Sequence, residues 1–149
     1  MSTKRQTILA AIKTILEGIV DGSGNRRFPH VEVSRIPPTR LDVVPYPAVF
    51  VYSDREMRVE DERAVNRQET WEWYITLEVW AYDKDMEDLL DYIHTAMYAN
   101  YKFTNTAEWS DRMSVDFFTI DPLQRLEAMA ISYRVIYRHS LGNMTTSGG

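Results

Sequence analysis

The chain predicts an α+β domain: a mostly antiparallel sheet, two helices packed on one of its faces, and a long charged hairpin or loop. Three observations carry this: two stretches with helical apolar spacing, several stretches of apolar alternation, and a charge-dense connection between two of the latter. With 149 residues, 44% hydrophobic and 26% charged, the chain has the make-up of one globular domain with its own core. We assign residues 1–139 to that domain. The small, polar stretch 140–149 is expected to be a flexible C-terminal tail.

Ile8, Ala11, Ile12, Ile15, Leu16 and Ile19 fall on one face of a first helix, with Lys13, Thr14 and Glu17 opposite. Ser2 or Thr3 can cap its start, and Gly18 or the turn at Asp21–Asn25 can end it. A short strand is expected over Val31–Val33, before Pro37 and Pro38 interrupt regular structure. Pro45 and Pro47 then lead into a second, buried strand, Ala48–Tyr52.

From Asp54 to Glu69 acids and arginines are interspersed, which reads either as a solvated loop or as a hairpin arm turning near Asp61 and Glu62. The clearest strand is Trp71–Tyr82. Trp71, Trp73, Ile75, Leu77, Val79 and Ala81 form its core face, and the other face mixes carboxylates with Tyr74, Trp80 and Tyr82. A solvated face has no need of those large rings, so this side is a candidate contact surface.

Asp85 is expected to cap a second helix whose apolar stripe is Met86, Leu89, Leu90, Ile93, Ala96 and Met97. Residues 100–112 read as irregular, Met113–Ile120 as a strand, and Leu126–Arg138 as the last long strand, with Ile136 out of phase.

The net charge of −5 argues against a protein whose main work is neutralising nucleic-acid phosphates. Cysteine is absent, which removes disulfides, thiolate chemistry and cysteine metal sites and fits a reducing cytosol. No apolar run has membrane-spanning length and the opening residues do not resemble a secretion signal, so no membrane partner is expected.

Known chemistries fail one by one. His30, His94 and His139 fall in different elements, and Asp91 with His94 on one helix face lacks a matching ligand set on the other helix. Glu72 and Glu78 stand about 20 Å apart along a strand, beyond the roughly 5–9.5 Å of paired-carboxylate glycoside chemistry. Asp83 and Asp85 read as a turn and a cap. Gly22-Ser-Gly24 follows a helix, unlike a phosphate-binding loop, and no serine has a nucleophile setting. No catalytic, cofactor or metal residue is assigned. Arg134 and Arg138 share a strand face, where they can meet Glu72 and Glu78 within the sheet or the acidic arm of a neighbour.

The order of features resembles the tail-terminator proteins of long-tailed bacteriophages, the minor tail protein U-like group. The resemblance rests on the opening helix from Arg5 to Leu16, the Pro-Tyr-Pro-Ala-Val-Phe-Val-Tyr entry from Pro45 to Tyr52, the charged excursion, the strand Trp73–Tyr82, a helix and a closing strand. It spans nearly the whole chain and is one of pattern, without a signature motif. It implies a virion protein assembled in the host cytoplasm as a ring, usually hexameric, at the head-proximal end of the tail tube. Such a ring stops tube polymerisation, contacts the tail tube protein and a neck or head-completion protein, lets DNA pass its lumen without specific binding, and catalyses nothing.

A ring needs two different surfaces per subunit. The expected interface residues are Tyr74, Trp80 and Tyr82 on the aromatic face, Arg55, Glu56, Arg58, Glu60 and Arg63 on the arm, and Arg134 and Arg138 on the last strand. A Trp80→Glu change is then expected to abolish the ring and spare the monomer. The alternatives are a head-completion or neck adaptor protein of the same virion, and a small enzyme whose site forms between subunits from Asp91, His94 and Arg134.

Overall fold

The computed structural model of the chain describes residues 3–35, 37–38, 44–58, 68–103 and 106–140. Helix α1 (Lys4–Glu17) opens with a reciprocal cap. The Thr3 hydroxyl accepts from the Gln6 backbone N–H at 3.1 Å, and the Gln6 side chain accepts from the Thr3 N–H at 2.8 Å, so two otherwise unpaired donors are satisfied. Gly18 closes it through its N–H to the Thr14 and Ile15 carbonyls. In the turn that follows, the Asp21 carboxylate accepts from the N–H groups of Ser23 and Asn25. Gly24 there takes φ 84, a conformation that favours glycine.

The strands are β1 (His30–Ser34), β2 (Ala48–Arg58), β3 (Gln68–Tyr82), β4 (Trp109–Asp121) and β5 (Leu126–Ser140). Helix α2 (Met86–Ala99) lies between β3 and β4 in sequence. The sheet order is β1-β2-β3-β5-β4; β1 and β2 are parallel and every other pair is antiparallel. The α+β class with a mostly antiparallel sheet is therefore what the chain adopts.

Register sorts the side chains into two faces. Val79 stands opposite both Val49 and Met129, and Leu77 opposite both Val51 and Ile131. These residues, with Trp73, Ile75, Tyr133, Val135 and Tyr137, form one core cluster that also holds Ile8, Ile12 and Leu16 of α1 and Met86, Leu89, Ile93 and Met97 of α2. Residues of both helical stripes thus belong to one buried cluster, and their spacing requires each stripe to be buried. The second face has its own small cluster of Ala48, Phe50, Trp80 and Ala128, against which Val44, Tyr46 and Ile120 pack.

The structure departs from expectation in three places. Strand β2 continues through the charged residues to Arg58, with a register shift between Ser53 and Arg55, because pairing with β3 satisfies its backbone whatever the side chains carry. Strand β4 begins at Trp109, inside the stretch expected to be irregular, since β5 supplies a ladder that no local periodicity announced. Asp85 occupies the N-cap position of α2 but makes no side-chain cap bond; it sits in a helical conformation at the end of a 3₁₀ turn, Asp83–Asp85. The middle of the expected charged hairpin or loop, with Glu60 and Arg63, and residues 141–149 of the expected tail lie outside the described residues.

Candidate functional site

The expected contact surface resolves into residues committed to the chain's own fold and residues left on the outside. Trp80 belongs to the first group. It is 1% exposed, its ring packs on Phe50 with centroids 5.0 Å apart, and its Nε1–H donates to Glu78 Oε2 at 2.7 Å. Glu78, 7% exposed, also accepts from the Tyr52 hydroxyl at 3.0 Å. The reading of Trp80 as a ring contact is therefore corrected: the loop at Val44 and Tyr46 packs against this part of the second face. A glutamate at Trp80 would disrupt the monomer itself.

Glu56 is likewise corrected. Beyond the register shift it lies opposite Trp73, on the core side, and its carboxylate is 3.3 Å from Arg5 of α1. Burial, and then the hydrogen bond with Glu56, raise the Tyr137 phenol above its usual range. This carboxylate ties the hairpin stem to α1.

The remaining residues gather where sequence spacing had no means of placing them. One row crosses the second face as Arg55, Tyr74, Arg134 and Asp111; the next reads Met57, Glu72, Ile136 and Trp109. The Arg55 guanidinium lies 5.0 Å from the Tyr74 ring centre, and the Tyr74 hydroxyl donates to Glu72 at 3.1 Å. Arg134 donates through two nitrogens to Asp111, both at 3.3 Å, so its partner is neither Glu72 nor Glu78. Tyr82 is exposed at the far end of β3, edge-on to Tyr46. Arg138 is exposed, and its carbonyl accepts from Lys4 Nζ; burial lowers the Lys4 pKa, partly offset by Glu108. The backbone of Arg58 opposes Trp71.

The apolar surface of β4 went unnoticed in the sequence. Among the described residues β4 is a sheet edge, and it exposes Trp109, Met113, Phe117 and Phe118, with Leu123 95% exposed in the turn after it. Adjacent Phe117 and Phe118 were the available signal, since a strand must send one to each face.

Where α2 ends against β4, a 440 Å³ cleft is lined by His94, Met97, Tyr98, Tyr101, Trp109, Arg112 and Tyr133, among others. Burial pushes the Tyr133 phenol up to about 12, partly offset by Arg112, and its hydroxyl has no hydrogen-bond partner among the described residues. Within one chain His94 borders this cleft with Tyr133, and Arg134, the next residue along β5, takes the opposite sheet face, so these two do not share a site in the single subunit. No group of three or more metal-ligating side chains occurs among the described residues, and no helix there is long and apolar enough to cross a membrane.

These features define an α+β domain whose β4 strand, an edge among the described residues, exposes several large apolar side chains. Comparison with known proteins returns no matching family model and no matching curated protein.

Proposed function

We propose that this chain is a structural assembly subunit, working as a tail-terminator-like ring protein at the head-proximal end of a bacteriophage tail tube. The observation that supports this reading best is the β4 edge: Trp109 and Met113 are each 48% exposed and Phe117 is 56% exposed, on a strand whose outer backbone groups have no partner strand among the described residues. An uncovered edge that exposes several large apolar side chains, here interspersed with the charged residues Arg112 and Asp116, is suited to association. The resemblance in the order of elements supplies the particular assembly, with the tail tube protein on one side and a neck or head-completion protein on the other. A net charge of −5 gives the subunit little attraction for the DNA that passes through the lumen. No catalytic role is assigned, and localisation to the virion follows from the same reading.

Light scattering over a concentration series, with negative-stain images of the most concentrated sample and of a sample mixed with tail tubes, tests it. Rings, free or capping tube ends, are expected. A stable closed dimer, or a chain that neither self-associates nor binds tube ends, overturns the reading. Binding to the portal side of the head in place of the tube would favour a neck adaptor.

A further inference from the structure

Among the described residues the sheet ends in two unlike edges, β1 and β4. Strand β1 runs parallel to β2, and each later step across the sheet reverses direction, so β1 and β4 of one chain run antiparallel to each other. A second copy set beside the first without being turned over brings its β1 antiparallel to the first copy's β4. The backbone ladder can then continue from copy to copy with every core face on the same side. That contact is heterologous, which is the kind a closed ring requires.

We propose that copies of this chain associate by this edge pairing, β1 of one against β4 of the next; the proposal rests on the ring-subunit reading and assigns its interface. Side-chain chemistry selects the register. Val31 and Val33 lie on the core side of β1, opposite Val49 and Val51, while His30 and Glu32 lie on the second face. In β4, Val115 is on the core side opposite Ile131, and Ser114 and Asp116 are on the second face opposite Ser132 and Ala130. Setting Val31 against Val115 puts His30 opposite Asp116 and Glu32 opposite Ser114. Apolar side chains then meet on one face, and an imidazole meets a carboxylate on the other. Sliding one strand by two residues brings Glu32 against Asp116, two carboxylates face to face. Sliding it the other way sets Val31 against Met113, at the irregularity between Arg112 and Ser114, and His30 against Ser114, so the pairing of imidazole with carboxylate is lost. Phe117 and Phe118, one on each face beyond the paired segment, extend the contact over the neighbour.

The natural chain contains no cysteine, so introduced thiols report without background. Glu32→Cys and Ser114→Cys single variants are mixed, at a concentration where light scattering shows assembly, and oxidised; the double variant is oxidised separately. Disulfides between positions 32 and 114 are expected, with a ladder in the double variant that ends at the ring mass, because paired strands hold such side chains within bonding distance. Links joining 32 to 32 or 114 to 114, or efficient linking with Asp116→Cys in place of Ser114→Cys, overturn the pairing or its register. Assembly to the ring mass without a 32–114 link overturns the edge pairing alone, whereas absence of any assembly overturns the ring reading beneath it. Hydrogen exchange on the unmodified chain gives the same decision without substitutions: assembly must raise protection in β1 and β4, and protection gained only elsewhere refutes the proposal.

Discussion

Replacing Trp80 with alanine separates a core role from an interface role. The indole is 1% exposed, packed against Phe50 with the rings tilted, and its N–H donates to the buried Glu78 carboxylate at 2.7 Å. Truncating a buried tryptophan costs about 3–5 kcal/mol, and a hydrogen bond to a charged group is worth roughly 1.5–3 kcal/mol, with the larger penalty when the charge stays buried. The two overlap, so a total near 5 kcal/mol is expected, a large share of the roughly 5–15 kcal/mol that holds a domain of this kind together. With a urea slope of about 2 kcal/mol/M, the unfolding midpoint should fall by about 2.5 M. Trp80→Phe keeps most of the apolar contact and loses the N–H, so a loss of about 2 kcal/mol is expected. Urea titrations followed by far-UV circular dichroism measure both. A Trp80→Ala chain that unfolds within about 1 kcal/mol of the parent yet no longer associates would refute the argument and restore Trp80 to the interface.

Three further outcomes follow from the same geometry. The Tyr133 phenol titrates at about 12 in the native chain against 10.0 ordinarily. Between those values the unfolded chain sheds this proton first and binds fewer protons, so stability falls as pH rises, by on the order of 2–3 kcal/mol across the window. Tyr133→Phe should remove that part of the alkaline slope and leave stability at pH 7 unchanged or slightly higher, because the lost hydroxyl has no hydrogen-bond partner among the described residues; urea titrations from pH 8 to 12 with an unaltered slope would contradict this. Arg134 and Asp111 are each about one-third exposed, at 30% and 35%, so a double-mutant cycle on stability should return about 0.2–1 kcal/mol, and a coupling above about 2 kcal/mol would show the pair to be more than a screened surface bridge. Phe117→Lys with Phe118→Lys should abolish association at a cost to the monomer of about 1–3 kcal/mol, because the rings are 56% and 38% exposed and so partly packed on the chain itself; rings that survive the double change, seen by light scattering, would remove β4 from the interface.

Periodicity announced the helices and the long strands because burial on one side imposes its repeat on the residues that supply it: Ile8, Ile12 and Leu16 for α1, Trp73 through Ala81 for β3. The end of β2 and the start of β4 were invisible for the opposite reason. Arg55–Arg58 and Trp109–Arg112 are strand only because β3 and β5 offer them backbone partners, and a ladder bond leaves no mark on side-chain pattern. Trp80 shows the limit most plainly. Its parity on β3 set it apart from the main core, and that much was correct; what the spacing did not carry was the loop at Val44 and Tyr46 folding over the second face to cover it. Pairings across strands, such as Arg134 with Asp111 in place of Glu72, were hidden likewise, since register joins residues that sequence keeps far apart. By itself, then, the sequence determined which side chains needed burial and in what rhythm, and hence the α+β class. Only the tertiary structure decided which face each element meets, which aromatic residues stay outside, and that β4 is an apolar edge, because strand order and register are set by long-range contacts that no local pattern encodes.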